Sequence, residues 1–109
     1  SIMRYKVNEL DNVIHERSRL LILTLLLKEG KLSFSELKER LNLTDGNLVS
    51  HLRILEDNEL INVEKKFVKR KPKTFYSLSK KGRKKFMDYL EKLRILLIDI
   101  FNEEVSDEE

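Results

Sequence analysis

The sequence predicts one α+β, mainly α domain, and three patterns support this fold class. Two short amphipathic segments joined by a tight turn lie between residues 33 and 61, two alternating segments enclose a basic loop at 61–79, and an apolar heptad pattern follows. The 109 residues suffice for one domain with a single modest core. We predict the following organisation: a single domain over 1–109, its core at 8–80, a C-terminal helix at 80–102 and an acidic tail at 103–109.

The first long apolar segment predicts a helix from about Leu10 to Glu29, with Gly30 as the stop signal. The leucine and isoleucine side chains of residues 20–27 point in nearly every direction around this helix. A helix that is apolar on all sides needs partners on two faces. We therefore expect its own domain to cover one face and a second subunit to help cover the other. A short strand is expected at 31–32.

A capping box marks the start of the next helix. Ser33 and Glu36 have the required spacing, which predicts a helix that begins at Phe34 or Ser35. The turn after this helix is predicted at 42–43.

Thr44 can cap a second helix that runs over about 44–58. Its inward face is indicated by Leu48, Leu52 and Leu55, which recur at spacings of four and three.

The opposite side of this second helix is polar. Asn47, Ser50 and His51 share one face with Ile54, and Arg53 lies on its flank. An amide can pair with an adenine edge, and arginine or histidine with guanine or phosphate. An ordinary solvated helix face is the alternative interpretation. The basic segment that follows favours DNA contact.

Residues 61–67 and 74–79 alternate in the manner of strands and predict an antiparallel hairpin. Pro72 favours a turn within the basic sequence 69–73. Lysines can also protect an edge strand, but four cations in five residues exceed that need. Arg70 is the candidate for minor-groove insertion, and the lysines for phosphate contact. The predicted DNA-binding residues are Thr44, Asn47, Ser50, His51, Arg53, Lys65, Lys66, Lys69, Arg70, Lys71 and Lys73.

Ser79 can cap a last helix that ends at about Phe101 or Asn102. Apolar residues recur along it at four, three, four and three, the spacing of a helix–helix seam. The acidic residues after it are expected to be frayed and solvated. Subunit packing is preferred to an effector pocket as the role of the apolar stripes. The predicted dimer interface consists of Leu21, Leu25, Phe86, Leu90, Leu93, Leu97 and Ile100.

The net charge of +3 conceals a strong asymmetry along the chain. Residues 65–85 contain eleven basic and no acidic side chains, and residues 102–109 contain five acidic and no basic ones. The remainder holds 11 basic and 14 acidic residues. A basic segment on an otherwise slightly acidic domain is the footprint of a protein that binds a polyanion.

Other classes of function find little support in the sequence. The absence of cysteine excludes disulfides, thiolate catalysis and thiolate metal sites. The two histidines are far apart, and the sequence has no Gly-rich phosphate loop or convincing pair of acids. We therefore predict no enzyme activity, no metal and no cofactor. The apolar run at 20–27 is too short to span a bilayer, so a cytoplasmic protein is expected.

The order of these elements resembles the winged helix-turn-helix transcriptional regulators of prokaryotes, particularly the small dimeric proteins related to the MarR and ArsR groups. Four segments carry the resemblance: 34–37, 43–52, 55–61 and 76–82. One departure is Glu59, where such proteins usually carry glycine. The resemblance implies a winged helix-turn-helix domain with a two-stranded basic wing and a long C-terminal dimerisation helix.

That resemblance implies a homodimeric, sequence-specific binder of double-stranded DNA that acts as a repressor or an activator. Residues 44–58 would enter the major groove, and the wing at 65–76 would touch the backbone or minor groove. Two alternatives remain at this point. The same fold can serve as a protein–protein interaction module, or as a non-specific nucleic-acid-binding subunit of a larger assembly.

Overall fold

The computed structural model describes residues 5–108, with side chains to residue 103, and confirms the mainly helical α+β fold. A 3₁₀ turn at Val7–Glu9 precedes the main elements. These are α1 (Arg17–Glu29), β1 (Lys31–Ser33), α2 (Phe34–Leu41), α3 (Asp45–Asp57), β2 (Ile61–Val68), β3 (Lys71–Leu78) and α4 (Lys80–Glu108). Among the residues described, none of the helices combines the length and the hydropathy that a membrane span requires.

The first helix is shorter than predicted, because α1 begins at Arg17 rather than near Leu10. The Asp11 carboxylate accepts hydrogen bonds from the backbone of Val13 and Ile14 at 2.8 and 3.2 Å, which favours a turn over helix. Glu16 then caps α1 by accepting from the backbone N–H of Arg19 at 2.8 Å. The apolar periodicity alone did not reveal these polar turns.

The caps of the two central helices are confirmed. Ser33 and Glu36 form the reciprocal capping box at the start of α2. The backbone N–H of Ser33 donates to the Glu36 carboxylate and lowers the pKa of that group. Asn42 ends α2 in the left-handed conformation, with φ 53°. The hydroxyl of Thr44 accepts from the backbone of Asn47 at 3.2 Å and caps α3.

The sheet is antiparallel with strand order β1-β3-β2. The two long strands are joined by a two-residue turn, Lys69 and Arg70, whose φ angles are 52° and 67°. The prediction that Pro72 lies in the turn is wrong, since it pairs with Phe67 inside the hairpin. A turn with two left-handed residues matches the twist of the strands. Pro72 also lies beyond the part of β3 that pairs with β1, where proline is tolerated.

The core lies where α1, α2 and α3 meet the sheet and the first half of α4. Leu48, Leu52 and Leu55 of α3 are buried, as their spacing predicts. Phe86 is fully buried in this same core, 6.4 Å from the Tyr89 ring. Its prediction as a dimer-interface residue is therefore wrong, because no surface of Phe86 is available to a second subunit.

The C-terminus of α3 has a Schellman geometry in which Glu59 takes the place preferred by glycine. The backbone N–H of Leu60 donates to the backbone oxygen of Leu55 at 3.0 Å, and that of Glu59 donates to the backbone oxygen of Glu56 at 2.9 Å. The φ angle of Glu59 is 60°, in the left-handed region. A side chain in this conformation is strained.

We expect Glu59→Gly to raise the free energy of unfolding by about 1 kcal/mol, because glycine adopts positive φ without steric cost. The lost ion pair with Lys81, at 4.0 Å, is exposed and contributes little. Urea denaturation measures the effect. Asn58→Gly is the comparison variant: φ at Asn58 is −89°, so glycine relieves no strain there, and the change removes the hydrogen bond from Asn58 Nδ2 to the Ile54 oxygen at 2.8 Å, so it should lower stability. If Glu59→Gly were no more stable than wild type, the claim that Glu59 is strained would be contradicted.

The last helix is longer than expected, since its backbone continues past residue 102 to Glu108. Its start is confirmed at Ser79, whose hydroxyl accepts from the backbone N–H of Gly82 at 2.8 Å. The 29 residues span about 43 Å, which explains the 63 × 25 × 22 Å shape of the molecule. The outer half of α4 therefore projects beyond the core.

The predicted interface residues divide into two groups. Leu25, Leu90 and Leu93 are half-buried and pack against the core of their own subunit. The exposed group comprises Leu21 (51% exposed), Leu97 (44%) and Ile100 (49%). The heptad residues in the first half of α4 thus pack within the monomer, whereas those in the second half form an exposed apolar surface.

Candidate nucleic-acid interface

The exposed side of α3 is polar and unobstructed. Thr44, Asn47, Ser50 and Arg53 are all exposed, as the helical spacing predicts. Within residues 5–103, Arg53 forms no ion pair. This face therefore presents an amide, two hydroxyls and a free guanidinium to the surroundings.

His51 differs from the other predicted contact residues, because its side chain is only 21% exposed and is held by α1. Its Nδ1 lies 3.1 Å from Nη1 of Arg19 and 3.6 Å from Oε1 of Glu16. A guanidinium can only donate, so Nδ1 of a neutral His51 accepts and the ring carries its proton on Nε2. Only the Nε2 side of this imidazole is left for another partner.

Glu16, Arg19 and His51 form a polar cluster that fixes α3 against α1. Arg19 also donates from Nε to the backbone oxygen of Val13 at 2.6 Å. Burial tends to raise the pKa of Glu16, but the hydrogen bonds from the backbone of Arg19 and Ser18 and the positive charge of Arg19 outweigh it and lower the pKa. Sequence patterns did not predict this cluster, because His51 is 32 residues from Arg19.

Two further residues of the exposed face were missed. Val49 is 42% exposed, and a Cβ added to Gly46 would meet nothing within 4 Å. Gly46, Ser50 and Arg53 are spaced by four and three residues, so helical periodicity could have found this surface.

Asp45 pairs with Lys38 at 2.9 Å, which offsets the acidic charge closest to the start of α3.

The wing is strongly cationic. All six of its predicted DNA-binding residues are exposed: Lys65, Lys66, Lys69, Arg70, Lys71 and Lys73. Lys66 pairs with Glu64 at 3.4 Å and lies 4.7 Å from the centre of the Phe75 ring. The other five cations have no ion pair among the described residues. Such uncompensated charge on a projecting hairpin attracts a polyanion.

Comparison with known proteins places this geometry in a family. The winged helix DNA-binding domain family matches residues 18–97. An uncharacterized protein of Methanocaldococcus jannaschii is 42% identical over 72 residues, which cover 66% of this chain and 78% of that protein.

Solved structures agree with this match. A transcriptional regulator homologue from Pyrococcus horikoshii is 30% identical, with a TM-score of 0.73 and coverage of 86% of this chain and 98% of the other. A protein of Enterococcus faecalis assigned to the MarR family of transcriptional regulators has a TM-score of 0.74 at 22% identity, with 97% of each chain covered. The family is one of DNA-binding regulators rather than enzymes. This chain belongs to the winged helix DNA-binding domain family and has the fold of its transcriptional regulators.

Proposed function

We propose that this protein is a sequence-specific transcriptional regulator that binds double-stranded DNA as a homodimer in the cytoplasm. The observation that carries the proposal is the pairing of an exposed polar face on α3 with five wing cations that lack ion pairs within residues 5–103. The helix face supplies donors and acceptors for base edges, and the wing supplies the charge for phosphates.

In this mechanism α3 enters the major groove, where Asn47 pairs with an adenine edge and Arg53 with guanine or phosphate. The Nε2–H of His51 donates to the DNA while Arg19 holds its Nδ1. Arg70, at the second position of the wing turn, enters the minor groove. The lysines beside it contact phosphates and fix the position of the protein on the duplex.

The outer half of α4 supports the homodimer. Its exposed apolar side chains include Leu97 (44% exposed), Ile100 (49%), which is three residues further along, and the adjacent Phe101 (63%). Ile95 and Ile98 add a second exposed pair, at 44% and 43%. An apolar surface of this kind on a projecting helix indicates an association site. A two-fold dimer would present two α3 helices about 34 Å apart to a pseudo-palindromic site.

Substitutions in α3 and in the wing should have different effects on DNA binding. Arg70→Ala is expected to weaken binding to all duplexes alike and to reduce the slope of log K against log salt by about 0.9 for each subunit. Asn47→Ala is expected to leave that slope unchanged and to lose about tenfold discrimination at one base position. Mobility-shift titrations at two salt concentrations, with duplexes selected from random DNA, measure both effects.

Arg70→Lys serves as the control for charge, because it keeps the cation and should keep the salt slope. Identical binding by wild type, Arg70→Ala and Asn47→Ala would contradict the proposed interface. Binding without any sequence preference would favour a non-specific nucleic-acid-binding role. Failure to bind DNA together with a stable protein complex would favour an interaction module.

A further inference from the structure

The wing carries a large apolar side chain that folding does not use. Phe67 is 76% exposed. It continues the alternation that begins with buried Ile61 and half-buried Val63 on the inner face of β2, but it lies past the end of the core. Because most of its surface is exposed, Phe67 gains little from burial in the monomer. Its position therefore suggests a partner.

The hairpin holds Phe67 in a fixed relation to the cations at its tip. Phe67 lies directly opposite Pro72, and cross-strand partners share a face of the sheet. The Pro72 ring restricts its own φ angle, and the turn of Lys69 and Arg70 is only two residues long. Lys65 lies two residues before Phe67 on the same face. The apolar pair is thus bordered by cations on both sides.

We propose that Phe67 binds DNA directly, by packing against the deoxyribose walls of the minor groove beside Arg70. This inference rests on the proposed function. The charge around Phe67 identifies the partner, because Lys65, Lys69 and Arg70 are exposed and have no ion pair within residues 5–103. A second copy of the wing would bring the same charges together and be repelled. Proteins that enter the minor groove commonly place apolar wedges there alongside cations.

The experiment compares wild type, Phe67→Ala and Phe67→Leu on one duplex selected by the wild-type protein. Fluorescence anisotropy at several salt concentrations measures affinity. We expect Phe67→Ala to bind about tenfold more weakly with an unchanged salt slope, because it removes a contact but no charge. Phe67→Leu, which keeps apolar bulk, should stay within about threefold of wild type. Thermal unfolding should be unchanged, since Phe67 is outside the core.

Hydroxyl-radical footprinting locates the contact, because the radicals cleave at sugars exposed in the minor groove. Phe67→Ala should increase cleavage only at the sugars that Phe67 covers, while the sugars beneath Arg70 and elsewhere in the site stay protected. Equal affinity and equal footprints of wild type and Phe67→Ala would overturn this inference alone. A lower mass of free Phe67→Ala in solution would also overturn it, because Phe67 would then contact a second copy. Failure of wild type to bind any duplex would instead refute the proposed function.

Discussion

Gly82→Ala is expected to lower the free energy of unfolding by more than about 3 kcal/mol. A Cβ atom on Gly82 would lie 1.8 Å from the backbone oxygen of Leu60 and 2.6 Å from its carbonyl carbon. Backbone cannot swing aside as a flexible side chain can, so the start of α4 would have to move away from the end of α3. That movement would also break the hydrogen bond from Ser79 N–H to the Leu60 oxygen, which measures 3.1 Å.

Urea denaturation followed by circular dichroism measures this loss. Gly46→Ala is the matched control, since the same change there places a Cβ in open space within a helix. That variant should be as stable as wild type or more stable by up to about 1 kcal/mol, because alanine is the better helix former. Similar stability of the two variants would show that the close approach at Leu60 is unimportant.

The double substitution Leu97→Glu with Ile100→Glu is expected to halve the mass of the protein in solution. Two charges would have to be buried in the proposed interface on α4, at a cost that neither leucine nor isoleucine incurs. Binding to a palindromic duplex should then weaken about 100-fold or more, because two separate subunits bind the half-sites independently, whereas in a dimer binding of the first subunit holds the second next to its half-site. Binding to a single half-site should change little.

Sedimentation equilibrium and DNA titration measure these two effects. Leu97→Met with Ile100→Leu is the control, because it preserves apolar volume and should preserve the dimer. Both residues are about half exposed in the monomer, at 44% and 49%, so neither double variant should unfold the domain. A monomeric wild type, or an unchanged mass in the charged variant, would contradict the proposed association through α4.

Local signals predicted the helix boundaries well where side chain and backbone interact within a few residues. Ser33, Thr44 and Ser79 each cap the helix that follows, as their sequence context predicts. Gly30 ends α1 at φ 88°. The start of α1 and the turn of the wing were mispredicted, because short polar turns and left-handed lysine and arginine leave weak patterns in the sequence.

Sequence patterns were sufficient to predict the order of helices and strands, the inward leucines of α3 and the concentration of cations on the wing. These features depend on periodicity, local capping and charge, all of which are properties of neighbouring residues. The packing of distant segments, in contrast, places Phe86 in the core, brings Arg19 to His51 and leaves Phe67 exposed. These features escape prediction because burial and long-range hydrogen bonds depend on which distant segment packs against a residue, and a single stretch of sequence does not specify its partner.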